Sequence, residues 1–370
     1  MNKNTISWLN ESQYTKPLPP ACKMCAEGSK MVILITGLCS ANCYYCPLSN
    51  EKTGKDRIFA DEWELSDEND TEKLVLEAEY IEATGAGITG GDPLIIWKRT
   101  KRYIEFLKNQ FGTDFHIHLY TSGLKNSEHI VDLVNVGLDE IRFHPDPKDW
   151  YDMDNSPIKH VILDAVNMDV DVAIEIPVIP GKHHEILSLI NWADKNSLSW
   201  VNLNELEFSE TNAEELGSKN FVVKNDISSA VLGSQEIALN VLEKTRHLDI
   251  GVHYCSSSFK DGIQLRNRIK RRAKNTVKNH EIVTEEGTIL KGVIYTKTMS
   301  LSQLYDVLIN EYDIEEENIH VVELEDRVEI ALWILEEIAG DLKKQGFECY
   351  MVEEYPTADK LEVERTPLPI

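Results

Sequence analysis

Two periods alternate along the chain between residue 31 and about residue 208. KMVILITG (30–37) is a continuous apolar run and reads as a buried strand. TEKLVLEAEYIEATG (71–85) has helical spacing and reads as a helix that stops at Gly85 as its C-cap. AGITGG, DFHIHLYTSG (114–123), EIRFHP (140–145), DVAIEIPVIPG (171–181) and SWVNLNELEF (199–208) read as further strands. Helical segments separate them, among them KRTKRYIEFLKNQFG (98–112) and HHEILSLINWADKN. Six strands alternating with helices predict a parallel sheet covered by helices.

The strands carry a persistent polar face. Phe115, Ile117 and Leu119 alternate with His116, His118, Tyr120 and Ser122; Ile141 and Phe143 with Arg142 and His144; Val172, Ile174 and Ile176 leave Glu175 opposite. Strands buried on both faces are normally apolar throughout. The expected fold class is therefore α/β, a partial (β/α)6 barrel with helices outside and a polar, ligand-filled lumen, wider than a closed barrel that packs its interior with apolar side chains.

Beyond residue 208 the pattern changes. GSQEIALNVLEKTRH reads as a helix and LDIGVHYCS (248–256) as a strand, followed by a strongly basic helical stretch and a second α/β pattern. The expected organisation is an N-terminal extension with a CxxC (1–30), the partial barrel (31–258), a basic helical segment (259–280) and a smaller C-terminal α/β domain (281–370).

Net charge is −25, which argues against a nonspecific nucleic-acid coat, since phosphate binding needs a positive surface. The N-terminus MNKNTISWLNESQYTKPLPP has no apolar signal region, and MVILI is far shorter than the ~20 residues a bilayer requires. A cytoplasmic protein without membrane contact is expected. Thiols stay reduced there, so five cysteines crowded between Cys22 and Cys46 suggest metal chemistry rather than disulfides.

CSANCYYCP places Cys39, Cys43 and Cys46 in a loop at the C-terminal end of the first predicted strand, where parallel α/β sheets keep their active sites. A helix carrying the three on one face conflicts with Pro47. Structural zinc takes four ligands, commonly from paired CxxC units, and this loop offers three. Three thiolates suit three irons of a [4Fe–4S] cluster, leaving the fourth iron for another ligand. GAGITG (85–90) satisfies G-x-G-x-x-G, but a helix precedes it and a strand follows, the reverse of a dinucleotide-binding context.

The loop resembles the CxxxCxxC loop of the radical S-adenosylmethionine (SAM) superfamily, with Tyr45 as the aromatic before the last cysteine. The chain is similar to an archaeal-type group related to pyruvate formate-lyase activating enzyme. The resemblance covers residues 31–208 and implies that Gly90, Gly91, Asp92 and Pro93 are the family's Gly-Gly-Glu/Asp-Pro turn, whose backbone bonds the methionine amino group of SAM. The turn reads GGD where GGE is usual. YTSG and PVIPG resemble further strand ends, which implies Ser122 and Glu175 near the ribose or amino-acid part of the cofactor; both also fit ordinary lumen-lining groups. The implied activity is an oxygen-sensitive enzyme in which the cluster delivers one electron to SAM and a 5′-deoxyadenosyl radical abstracts hydrogen from a substrate. The implied partner is a one-electron reductant such as ferredoxin or flavodoxin.

Two features stand outside that pattern. PPACKMC and HYCSS supply Cys22, Cys25 and Cys255, which form a second metal site, an iron–sulfur cluster or zinc with Cys349, His253 or a substrate atom as fourth ligand, or are three unrelated buried thiols. QLRNRIKRRAKNTVK (264–278) is either a solvated helix face that neutralises nearby carboxylates or a contact for RNA or an acidic partner. The expected substrate is a protein or peptide; the alternatives are an RNA-modifying enzyme and a non-catalytic iron–sulfur or zinc scaffold.

Overall fold

The structure, a computed structural model, describes residues 5–225 and 228–369. It divides into two compact units, one running to Glu79 and over Ala83–Leu265, the other comprising Tyr80–Glu82 and the chain from Arg266 onward.

The first unit is α/β. Seven strands run parallel: β1 (Lys30–Leu34), β2 (Gly85–Thr89), β3 (His116–Thr121), β4 (Glu140–Phe143), β5 (Asp171–Val178), β6 (Trp200–Glu205) and β7 (Gly251–Cys255). Their order across the sheet is their order in the chain. The strand expected at 248–256 thus extends the parallel run from six to seven. The two-residue strand Phe59–Ala60 lies antiparallel on β1, and Gln13–Tyr14 lies antiparallel on β7. The chain to residue 30, expected as a separate extension, is built into this unit. Its helix α1 (Pro20–Glu27) has Pro20 in the first turn, where a missing N–H is harmless, and ends at Gly28 with φ 70°.

Helices α2 (Thr71–Tyr80), α3 (Trp97–Phe111), α4 (Lys159–Val166), α5 (His183–Lys195) and α6 (Ser234–Thr245) follow β-strands in turn. The apolar strand faces, including Ile117, Leu119, Ile141, Phe143, Ile174, Ile176, Val201 and Leu203, are fully buried. At roughly 1.5–3 kcal/mol per buried side chain, this layer supplies much of the driving force for folding.

Gly85 is not a helix cap. Helix α2 stops at Tyr80, Glu82 takes the left-handed turn conformation (φ 50°), and Gly85 opens β2. A Cβ there would stand 2.4 Å from the His116 carbonyl oxygen, so the position needs glycine for close strand approach.

The second unit is an antiparallel sheet centred on β8 (Ile289–Tyr295). Beside it are β9 (Ile319–Val322), β10 (Arg327–Ile330), β11 (Glu348–Glu354) and β12 (Glu362–Pro367), in the order β9-β10-β8-β11-β12. Ile294, Val328, Ile330 and Cys349 pack with Leu304 and Leu308 of α8 (Leu301–Asn310) and Leu335 and Leu342 of α9 (Leu332–Lys344). Ser300 and Gln303 form a capping box at the start of α8. The same sheet also buries charge: Lys291 Nζ lies 2.7 Å from Glu329 and 2.6 Å from Glu354. Helix α7 (Arg266–Thr276) holds the expected basic segment.

A candidate metal and cofactor site at the strand ends

Strand β1 runs out at Leu34, and the chain enters a loop closed on itself at Gly37. Gly37 donates to the Lys55 carbonyl at 2.8 Å, and its own carbonyl accepts from Gly54 at 2.9 Å. A Cβ at Gly37 would stand 1.7 Å from the Lys52 carbonyl, so the loop closes only over glycine. This closure presents Cys39 and Cys46 exposed and Cys43 half-buried. The three thiols lie near enough to influence one another's ionisation. Burial, with Cys39 and Cys46 adding to it, pushes the Cys43 thiol up to about 11, with the neighbouring Tyr45 hydroxyl opposing the rise. A cationic metal centre reverses that tendency, because it binds the thiolate and displaces the proton.

Tyr45 anchors the loop. Its side chain is buried, and its hydroxyl stands 2.9 Å from His144 Nε2. His144 Nδ1 in turn lies 2.7 Å from the Glu175 carbonyl oxygen, to which it donates. That bond leaves Nε2 as acceptor and makes Tyr45 the donor. Asn212 donates to the Tyr45 carbonyl at 3.1 Å and Thr211 to the Cys46 carbonyl at 3.3 Å, so the segment after β6 also holds the loop.

The Gly90–Gly91–Asp92–Pro93 turn sits directly against this loop. Gly91 N–H donates to the Thr36 carbonyl and Asp92 N–H to the Leu38 carbonyl, both at 2.7 Å. Gly90 has φ 148°, and a Cβ there would meet the Thr36 carbonyl at 2.2 Å; one on Gly91 would meet that of Leu38 at 2.1 Å. With both amides spent on protein, the turn has carbonyl oxygens to offer a ligand, and carbonyls accept from an ammonium group. Asp92 is fully buried, with both carboxylate oxygens engaged by protein. It accepts from Leu94 N–H, Thr121 Oγ1, Ser122 N–H and Ser122 Oγ, tying the end of β2 to the end of β3. Pro93, also buried, opens the short helix that follows.

Ser122 and Glu175 are thus both engaged by protein. Glu175 Oε2 receives Arg142 Nη1 at 2.6 Å and Asn202 Nδ2 at 3.0 Å, and Oε1 receives Asn204 Nδ2 at 2.8 Å. Burial alone would raise this carboxyl, but Arg142 and Asn204 outweigh it and hold it below the usual range. Arg142 also pairs with the fully buried Glu140. Lys30 Nζ is 3.2 Å from His118 Nε2, which is 3.1 Å from the Tyr120 hydroxyl. Arg142 also lies over the Tyr120 ring at 5.5 Å, so polar positions of five strands, β1, β3, β4, β5 and β6, join in one buried network.

Cys22 and Cys25, which bonds Lys30, belong to that network, whereas Cys255 accepts from Gln264 at 3.9 Å. Cys22 Sγ is 3.7 Å from both Arg142 Nη2 and His253 Nδ1. Cys349 does not belong to it; it lies in the apolar core of the second unit. The polar alternation predicted the side chains of the strands, while nothing in the sequence indicated that α1 would join them. Tyr45's partner His144 was equally hidden, being separated from it by 99 residues.

Three cations of the basic segment pair with carboxylates of the second unit. Arg266 pairs with Glu286 at 2.8 Å, Arg271 with Glu82 at 3.3 Å, and Lys274 with Glu82 at 3.9 Å. Arg272 is buried, donates to the Pro356 carbonyl and covers the Tyr80 ring at 5.0 Å.

Comparison with known proteins defines the class: residues 33–193 match the Radical SAM superfamily, and the chain belongs to that superfamily and is a radical SAM enzyme. It is 40% identical, over 100% of its own length and 97% of the relative's, to a Methanocaldococcus jannaschii protein described as "Putative glycyl-radical enzyme activating enzyme". Residues 287–368 match a domain of unknown function, DUF8061. Among solved structures, SuiB of Streptococcus suis bound to precursor peptide SuiA superposes with a TM-score of 0.42 at 10% identity, covering 64% of this chain and 51% of that one. The radical SAM methyltransferase TsrM of Kitasatospora setae gives 0.35 at 10% identity, covering 66% and 51%. The chain spans about half the length of these two structures. Among the described residues, no helix is long and apolar enough to cross a membrane.

Proposed function

We propose that this enzyme acts on a protein, generating a radical on a partner polypeptide. The observation that carries the reading is the docking of Gly91 and Asp92 on the backbone at Thr36 and Leu38, which sets an acceptor-rich turn beside three thiols. Cys39, Cys43 and Cys46 would hold a [4Fe–4S] cluster, and the carbonyls of the glycine turn would take the amino group of SAM. When bound, that pair supplies one-electron cleavage of the sulfonium and a carbon radical for hydrogen abstraction. The chain's own residues do the rest. Tyr45 and His144 fix the loop, Asp92 fixes the adjoining strand ends, and the Arg142–Glu175 network keeps a rigid, dry floor beneath them.

A curled sheet, the partial barrel, fits these contacts. In a flat sheet, six strand spacings of ~4.8 Å would separate β1 from β7 by roughly 29 Å. Yet Cys22 of α1 meets His253 of β7, while Cys25, one turn further, bonds Lys30 of β1. A helix of eight residues bridges both edges only if they approach.

A protein substrate agrees with the printed description of the 40%-identical relative. The pairing of Arg266, Arg271 and Lys274 with Glu286 and Glu82 weighs against the RNA alternative. The reading includes a one-electron reductant such as ferredoxin or flavodoxin, a cytoplasmic setting, and a second metal centre at Cys22, Cys25 and Cys255. To test the substrate, the reduced enzyme with SAM is mixed with proteins that carry glycyl-radical domains, and electron paramagnetic resonance (EPR) is recorded. A glycyl doublet on one of them supports the reading; deoxyadenosine release stimulated by RNA and by none of these proteins overturns it.

A further inference from the structure

Beyond β6 the chain builds a small sheet of its own. Residues 206–208 continue the strand and pair with 229–232: Val231 N–H donates to the Leu206 carbonyl at 2.7 Å, and Phe208 N–H to the Ser229 carbonyl at 2.8 Å. Residues 222–224 pair with the other side of 229–232: Leu232 N–H donates to the Val222 carbonyl at 2.9 Å, and Lys224 N–H to the Ala230 carbonyl at 2.7 Å. Three extended segments therefore hang from the end of β6, with 222–224 as their outer edge.

Val223 stands opposite Val231, between the two bonds that tie this edge on, and the pairing there is antiparallel. A residue so placed turns its own N–H and C=O away from its partner strand. Among the described residues, neither group of Val223 has a hydrogen-bond partner. The edge is also apolar: Val222, Val223 and Leu232 are 54%, 49% and 50% exposed. Soluble proteins blunt such edges with charge, proline or a bulge, because an unpaired apolar strand recruits another. This edge carries valine at its unpaired position.

The same segment holds the cysteine loop. Thr211 and Asn212 bond the carbonyls of Cys46 and Tyr45, and Lys219 lies over the Tyr44 ring at 4.5 Å. Phe221 N–H donates to the carbonyl of Leu216 in the short helix Ala213–Ser218, which joins that helix to the edge. Glu210, Glu214 and Glu215 are exposed, and among the described residues none has an ion-pair partner. The lysines of the segment are occupied, Lys219 by the Tyr44 ring and Lys224 by Glu205 and Glu11. The uncompensated charge beside the edge is negative.

We propose that the edge at Val223 takes an extended segment of the partner polypeptide as an added strand, one that presents basic and apolar side chains. Main-chain bonds to Val223 supply affinity, while the exposed valines and the three carboxylates select the side chains. Because Thr211 and Asn212 tie this segment to the loop of Cys39, Cys43 and Cys46, the docked chain is held to the same strand-end face as that loop. The proposal rests on the reading that the substrate is a polypeptide.

The test uses the full chain without cofactors and a fluorescein-labelled peptide of alternating lysine and valine. Fluorescence anisotropy is expected to show binding to the parent and a loss of ~10-fold or more in Val223→Pro, which has no N–H to offer an added strand. Proline breaks no bond of the existing ladder, because that N–H faces outward. Far-ultraviolet circular dichroism reports that the variant folds. Glu214→Lys/Glu215→Lys, on the exposed helix, is expected to weaken this peptide and strengthen its counterpart with glutamate in place of lysine. Hydrogen exchange of the Val223 amide is expected to slow when the peptide binds. No binding by the parent, unchanged binding by Val223→Pro, or an unprotected amide in the complex overturns the proposal. A parent dimer that Val223→Pro dissociates also overturns it, since a second copy would then own the edge. Peptide binding as expected, with no glycyl doublet on any partner protein, would strike the substrate reading and leave the docking edge standing.

Discussion

The hydroxyl of Tyr45 donates to His144 Nε2 at 2.9 Å, joining the cysteine loop to the end of β4 across 99 residues of chain. Tyr45→Phe keeps the buried ring and removes this donor, leaving the imidazole nitrogen unsatisfied. The expected cost is ~1–2 kcal/mol of unfolding free energy in the apoprotein, read by urea denaturation. An unchanged midpoint would mean that the bond does not hold the loop.

Glu175 offsets the charge of Arg142 from the side opposite Glu140. Glu175→Ala strands part of a buried guanidinium charge and also frees Asn202 and Asn204. A loss of ~3–5 kcal/mol is expected, and Glu175→Gln should recover part of it by keeping the shape. If both variants unfold like the parent, the network is ornamental and the floor of the site is set by apolar packing alone.

Glycine at position 91 is required by contact rather than by φ. Gly91→Ala drives a Cβ to 2.1 Å from the Leu38 carbonyl, so the turn must leave the cysteine loop. The expected variant retains its iron but loses SAM binding by at least ~30-fold in calorimetry, a coupling of ~2 kcal/mol. Binding of parental strength would dissociate this turn from the cofactor.

Three buried histidines make stability depend on pH. Burial depresses His118, His144 and His253, the last to about 3, so all three are neutral in the fold. The unfolded chain protonates them near pH 6.5. Between the folded and unfolded values the unfolded state binds more protons, so stability is fully present above pH ~6.5 and declines as pH falls. Each histidine adds a slope of up to ~1.4 kcal/mol per pH unit. Denaturation midpoints of the apoprotein at pH 7.5 and 5.5 check this, with the lower midpoint expected at pH 5.5.

The parts of the site legible in the sequence are those encoded locally. The cysteine spacing with Pro47, the glycine pair before Asp92, and the two-residue alternation that gave β3, β4 and β5 a polar face are all short-range patterns. Periodicity assigns Arg142 and Glu175 to the same face but is silent on their pairing, because sheet register is a long-range property. It is silent for the same reason on Cys22 reaching His253, 231 residues away. Gly85 looked like a cap because a helix precedes it; the packing of β2 against the His116 carbonyl decided its role. The basic run left a carboxylate-neutralising face and an RNA or acidic-partner contact both open, because its partners Glu82 and Glu286 are set by tertiary folding.

The central claim is that Cys39, Cys43 and Cys46 hold a cluster with an iron left open to SAM. Its most direct measurement is deoxyadenosine formed from SAM by the anaerobically reconstituted, chemically reduced protein, compared with the Cys39→Ala/Cys43→Ala/Cys46→Ala variant. The account predicts deoxyadenosine and methionine in equal amounts from the parent and none from the variant. A parent chain fully loaded with iron that yields no deoxyadenosine, or a variant that matches it, would contradict the claim.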